Sequence, residues 1–387
     1  MKRGLVLEGG GAKGAFHCGA VMALYDNGYD FDGVAGTSIG AINSALIAQD
    51  CGYDSLLRMW EHVNASMFTN FDDSEVEKLF NKDIDVSTVA YWSKQALKII
   101  KNLGVPTDKI IPFLKKNISE DRVRQSKMDM AIVTYSITDR SPVEVFLEDI
   151  PQGELYDYIF ASAYYPAFRL KKLHGKYYID GGVYDNMPIA LLAKKGYDEI
   201  FAIRTMSKMP YKNQCGESVK VNYICPSEDL GGTVEISHKM VNRNIKLGYY
   251  DAMRFLRGYD GLRYYFSTPA DDIIAHFNNK LMSNYLAIAL LFKIPFDSPE
   301  SVFNKTYEFL SKTYKNTNLD SVAMQKFIEE YAMDLGVEKF KVYKPEEFIE
   351  ELYAKYNQKT FDNNMKPGIF ERDKKKKDML FRLLMEE

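Results

Sequence analysis

Cysteine is scarce in this chain of 387 residues: there are four, Cys18, Cys51, Cys215 and Cys225, and no two of them form a C-x-x-C pair. That scatter excludes a dense disulfide framework and a zinc ribbon, and it fits reduced thiols in a cytosolic protein. Histidine is nearly as rare. The five present, His17, His62, His174, His238 and His276, show no H-x-E or H-E-x-x-H spacing, so no metal site is expected. A surplus of one charge is missing too, with 53 acidic residues against 50 basic ones and a net charge of −3. A dedicated nucleic-acid binder carries a basic face, so nucleic acid is not an expected partner. Long apolar runs are also absent. The longest, Tyr285–Phe292, falls far short of the roughly 20 residues needed to cross a bilayer. Near the start, Lys2 and Arg3 precede the apolar run Leu5–Leu7, which glycine interrupts too soon for a signal-peptide core. The expected location is the cytoplasm, with any membrane contact peripheral.

What is present is ample core material. Apolar residues make up 46% and charged residues 27%, the balance of a globular protein rather than a disordered one. A divisor of about 150 residues per domain allows two to three domains. Gly4–Glu8 reads as a short buried strand, the glycine cluster Gly9–Gly14 as a turn, and Ala15–Leu24 as a helix with an apolar face. Phe31–Ala35 reads as a second strand, Gly36–Gly40 as a tight turn, and Ala41–Ala48 as a small-residue helix against a sheet. Repetition of strand, turn and helix implies a parallel sheet with both faces covered.

Longer amphipathic stretches from about Tyr53 to Asn117, including Val89–Leu103 around Trp92, predict a helical insertion. Strands are expected again at Met128–Tyr135, Val143–Leu147, Glu199–Arg204 and Val219–Ile224, with a hairpin from Phe168 to Ile179. Helices are expected at Leu155–Ala163 and Ile189–Lys195, and through most of the chain beyond Glu228. The basic tail Lys366–Lys377 could touch an anionic membrane surface, but reads better as a solvated charge run before a final docking helix.

Three short motifs carry chemistry. Gly36-Thr37-Ser38-Ile39-Gly40 is a G-x-S-x-G between strand and helix. A serine on such a turn projects its hydroxyl outward, and the helix behind it aims free N–H groups at any negative charge forming nearby. Gly9-Gly10-Gly11-Ala12-Lys13-Gly14 also joins a strand to a helix. Read as G-x-G-x-x-G it suggests a dinucleotide fingerprint, but Asp30 and Asp32 then fall at the beginning of the second strand, not at its end where the ribose lies. The better reading is an oxyanion hole, with unobstructed backbone N–H groups and the cation of Lys13. The third motif is Asp180-Gly181-Gly182. Its aspartate is a candidate base for the serine, although Asp-Gly is also a common turn dipeptide.

In this order the three motifs resemble the patatin-like phospholipase family. Its oxyanion loop, its G-x-S-x-G and its D-G-G correspond to Gly9–Gly14, Gly36–Gly40 and Asp180–Gly182. Ala161–Phe168 resembles the family's A-S-x-A-x-P-x-F segment, and Asn186 with Pro188 its N-x-P. The likeness covers roughly residues 3 to 205. It implies a three-layer α/β/α catalytic domain over 1–205 with the helical insertion at about 53–117. Residues 206–387 are then a mostly helical extension.

The resemblance also implies a lipid acyl hydrolase with Ser38 as nucleophile, Asp180 as base, no histidine and no cofactor. Gly10 and Gly11 would supply the oxyanion donors, and an acyl ester would be the substrate. An acyltransferase or thioesterase with the same dyad is the near alternative, and a nucleotide-binding module the distant one.

Overall fold

The computed structural model describes residues 1–63, 107–165, 168, 171–212, 219–294, 298–314, 320–358 and 372–386. Elements are numbered among these. The segment 64–106, which holds Trp92 and the expected Val89–Leu103 helix, lies outside the described residues. The chain divides into two compact units, Met1–Phe255 and Leu256–Glu387.

The first unit is built on a sheet of seven strands. Strands β1 (Arg3–Leu7) and β2 (Gly33–Thr37) run parallel, joined by helix α1 (Ala15–Asp26). Helices α2 (Ile39–Asp50), α3 (Asp54–His62), α4 (Ile110–Asn117) and α5 (Glu120–Gln125) precede β3 (Asp129–Ser136), which is parallel to β2. Strand β4 (Ser141–Phe146) turns back antiparallel on β3. After helix α6 (Leu155–Ser162), strand β5 (Tyr178–Asp180) also pairs antiparallel with β3. Helix α7 (Ile189–Lys194), β6 (Glu199–Ile203), β7 (Lys220–Ile224) and helix α8 (His238–Arg257) follow, α8 spanning the junction of the units.

The strand order is β4-β3-β2-β1-β6-β7. The chain therefore leaves β1 on one side for β2 and later returns on its other side as β6. Open α/β sheets place ligands at such a reversal, outside the carboxyl ends of the strands. Alternation sorts the side chains into two faces. Val6, Ala35, Ala131, Val133, Ile200 and Ala202 form one core with Ile189 and Leu192 of α7. On the other face α2 lies against β1, β2 and β3. The result is three layers, α/β/α, with a mainly parallel sheet, as the resemblance implies.

Some boundaries differ from the sequence reading. The second strand starts at Gly33 rather than Phe31, because Asp32 accepts the Arg3 N–H through its side chain, at 2.7 Å, just before pairing begins. Of the expected hairpin over 168–179, the described residues show a Leu173/Lys176 bridge just before β5, and 169–170 lie outside them. The first unit also runs on past residue 205, since β7 continues the sheet beside β6.

Among its described residues the second unit is mostly helical, with a two-residue parallel pair, Tyr265–Phe266 with Val342–Tyr343. Phe266, Phe277, Phe327, Phe348 and Leu380 are buried in its core. The apolar run Tyr285–Phe292 is a helix here, burying Ile288 and Ala289 while Leu286 and Leu290 face solvent.

Candidate active site

Strand β2 ends at Thr37 and α2 begins at Ile39, so Ser38 alone makes the turn. Its φ of 59° and ψ of −125° lie where glycine is favoured and other residues are strained by about 1–3 kcal/mol. Glycine on both sides permits the bend: a Cβ on Gly40 would come within 2.2 Å of the Leu7 carbonyl oxygen. The Ser38 N–H donates to Ser162 Oγ at 2.9 Å, and that hydroxyl donates to the buried Val133 carbonyl at 2.6 Å. Thr37 Oγ1 donates to the Asp185 carbonyl at 2.8 Å. The strained residue is thus held on both sides by buried polar contacts.

Sheet register brings Asp180 to it. Thr37 of β2 pairs with Val133 of β3, and the next residue of β3, Thr134, pairs with Asp180 of β5. Strand β5 therefore takes over the edge of β3 that β2 vacates, running the opposite way and ending where β2 ends. The Asp180 carboxylate accepts the Gly182 N–H at 2.8 Å, and the Ser38 hydroxyl lies beside it. Only 7% of Asp180 is exposed. Burial pushes its carboxyl up to about 6, against the downward pull of the Ser38 hydroxyl and the Gly182 N–H.

The glycine loop follows β1 at the point of reversal. Gly9 is pressed between the two partners of the site: a Cβ there would lie 2.2 Å from Asn186 Oδ1 and 3.2 Å from Ser38 Cβ. Its N–H donates to the Asn186 carbonyl at 3.0 Å. Two donors converge on its carbonyl, Thr205 Oγ1 at 2.6 Å and Asn186 Nδ2 at 3.2 Å. Further on, Ala12 N–H donates to the Thr233 carbonyl at 2.7 Å and Lys13 N–H to that of Gly10 at 3.3 Å. Gly10 and Gly11 N–H have no partner among the described residues. Lys13 and Gly14 complete the short 3-10 turn that leads into α1.

Ser38 and Gly11 open on a pocket of about 180 Å³ whose lining is strongly apolar, including Ile42, Met59, Trp60, Ile110, Phe113 and Phe168. Trp60 donates its ring N–H to Asn43 Oδ1 at 3.2 Å, which leaves the indole as a dry wall. A larger cavity of about 680 Å³ is mixed in character, lined by Arg58, Lys115 and Arg122 but also by Met59 and Phe113, and does not include Ser38, Asp180 or the glycine loop.

The histidines lie elsewhere. His17 is fully buried in α1, its Nδ1 beside Asn43 Nδ2 at 3.1 Å, and burial pulls its pKa down to about 3. His174 is held by Asp157 at 2.9 Å and faces Glu154 at 3.7 Å. No cluster of metal-ligating side chains occurs among the described residues. Asp32 lies at the amino end of β2, opposite Ser38, so the glycine loop has no ribose-binding acid in place.

Sequence reasoning named Ser162 and Asn186 only as parts of motifs and gave them no task. Thr205 carried no signal at all, because a threonine after a strand is unremarkable until its neighbours are known.

Residues 5–193 match the family described as patatin-like phospholipase. Lysophospholipase NTE1 of Mycosarcoma maydis is 28% identical over 204 residues, which is 52% of this chain and 10% of that protein. Lysophospholipase nte1 of Emericella nidulans is 29% identical over 202 residues, 52% of this chain and 12% of that protein. The chain thus spans about a tenth of the length of these relatives. The crystal structure of VipD from Legionella pneumophila aligns over 100% of this chain and 92% of that one, at 14% identity and a TM-score of only 0.41. The stretch 5–193, just under half of the chain, is thus a patatin-like phospholipase domain.

Proposed function

We propose that the protein is a serine lipid acyl hydrolase that cleaves acyl esters through a Ser38–Asp180 dyad and an acyl-enzyme. The supporting observation is the Ser38 hydroxyl set beside the buried Asp180 carboxylate, whose pKa it lowers, at a strained turn next to an apolar pocket. A serine hydroxyl beside a buried carboxylate can be activated by it as a general base. Asp180 takes the Ser38 proton as Oγ bonds to the ester carbonyl carbon. The oxyanion rests on the Gly10 and Gly11 N–H groups and the positive end of α2. Collapse breaks the bond to the leaving alcohol, which takes the proton from Asp180. Water then repeats the sequence, giving its proton to Asp180 and its oxygen to the acyl carbon, and Ser38 recovers its proton as the fatty acid leaves. The acyl chain lies in the pocket lined by Trp60 and Phe113. The printed names of the fungal relatives make lysophospholipids the first substrates to try.

The test is Ser38→Ala assayed on short-chain nitrophenyl esters, together with labelling by a fluorophosphonate probe. Loss of both activity and labelling in a folded variant is expected. Full activity in that variant would overturn the reading. A lipid panel with product mass spectrometry then identifies headgroup and chain position.

A further inference from the structure

Two side chains stand between two cavities. Met59 and Phe113 line the apolar pocket of about 180 Å³ that holds Ser38, and both also line the cavity of about 680 Å³ that does not. Among the described residues no other is common to the two linings. Both side chains are nearly buried, at 3% and 8% exposure.

Helix spacing explains the arrangement, since residues three and four apart are neighbours on one face. Along α4, Ile110 faces the pocket, Phe113 faces both spaces, and Lys116 and Asn117 face the cavity. Along α3 the order is reversed. Ser55 lines the cavity, Met59 lines both spaces, and Val63, just past the helix end, lines the pocket. Each helix therefore changes sides at one residue, and those two residues make the partition.

Another wall of the pocket is fixed. Trp60 is buried, and its ring N–H donates to Asn43 Oδ1. An indole nitrogen can only donate, which sets the Asn43 amide with its Nδ2 toward the Gly14 carbonyl, at 3.1 Å. Trp60 is thus tied to α2 and to the loop that leads into α1. Neither the Met59 thioether nor the Phe113 ring can be anchored by donating a hydrogen bond, and an unbranched methionine adapts readily.

We propose that Met59 and Phe113 form the inner wall of the acyl pocket and set the length of acyl chain that Ser38 processes. The proposal rests on the reading of Ser38 as the nucleophile of a lipid hydrolase, and names the side chains that give it a chain-length preference. A chain that fills the pocket gains by burying each methylene against Ile42, Trp60 and the wall. A longer one has to displace the wall and enter a space that also presents Arg58, Lys115 and Arg122, where that gain shrinks.

The test is kcat/KM on nitrophenyl esters from butyrate to palmitate, for wild type, Phe113→Ala and Met59→Ala. In wild type the value should rise with chain length and fall once the pocket is full. Phe113→Ala joins the two spaces, so the ratio of laurate to butyrate should rise about tenfold or more, roughly 1.4 kcal/mol. Met59→Ala should move the ratio the same way. Phe113→Leu keeps most of the packing, serves if the alanine variant does not fold, and should raise the ratio about threefold. A chain-length profile that no folded, active variant moves would overturn the proposal and leave the hydrolase reading standing.

Calorimetry with primary alcohols from hexanol to dodecanol reads the wall without turnover. Dodecanol should gain about tenfold in affinity over hexanol in Phe113→Ala relative to wild type. A wild type that cleaves no ester while the alcohols show this shift would sink the hydrolase reading and keep the wall. Alcohol affinities that respond to neither chain length nor substitution would overturn the wall.

Discussion

Thr205 Oγ1 donates to the carbonyl oxygen of Gly9 at 2.6 Å, reaching from the end of β6 to the loop after β1. The peptide group is planar and trans, so the Gly9 carbonyl and the Gly10 N–H point in opposite directions. A donor that holds the carbonyl therefore sets where the N–H is aimed. Thr205 is itself anchored, since the fully buried Glu8 carboxylate accepts its N–H at 2.7 Å and that of Met206 at 3.1 Å.

Replacing Thr205 by Val keeps the shape and removes the donor. We expect kcat on a nitrophenyl ester to fall about tenfold, or 1.4 kcal/mol in the barrier, with KM little changed. Thr205→Ser should restore most of the loss. A fall confined to KM would show that the threonine shapes the pocket instead.

Asp180→Asn should remove nearly all activity, because an amide cannot take the Ser38 proton, yet it should stabilise the fold. Burial raises the Asp180 carboxyl to about 6 from an ordinary 3.8, so the folded state holds its proton more tightly than the unfolded chain. Its contribution is fully present below the unfolded value and is lost as pH rises through the folded one, by about 3 kcal/mol for a shift of two units. Denaturant titrations at pH 5 and pH 8 should show a smaller decline with pH in the Asn variant than in wild type.

The same shift sets the activity profile. Asp180 acts as a base only when ionised, so kcat/KM should rise with pH and level off above about 6. A flat profile through this region would place the proton acceptor elsewhere.

Gln at each of the five histidines in turn should leave activity within about tenfold. His17, buried and neutral against Asn43, is the most informative of them. A thousandfold loss at any one, with circular dichroism unchanged, would replace the dyad with a triad.

Ser38→Gly should be more stable than Ser38→Ala. At φ 59° and ψ −125° alanine keeps the strain and glycine relieves it, a difference of about 1–3 kcal/mol. Equal melting temperatures would mean that the turn relaxes in the alanine variant.

Sequence by itself determined the local pieces. Short apolar runs ending in glycine specified strands that turn sharply into helices, and glycine marks positions where backbone passes too close for any side chain. Gly36–Gly40 and Gly9–Gly14 could thus be placed at strand ends before any contact was known. Tertiary structure alone decided which pieces meet. Nothing in the 141 positions between Ser38 and Asp180 says that β5 will take the edge of β3 that β2 leaves at Val133. That register follows from pairing across the whole sheet, where a slip of one residue would turn every buried side chain to the wrong face. Thr205 and Asn186 were hidden for the same reason. A hydroxyl or amide shows no preference along the chain for the carbonyl it will hold, and Gly9 comes within reach only after β6 has joined the sheet on the far side of β1.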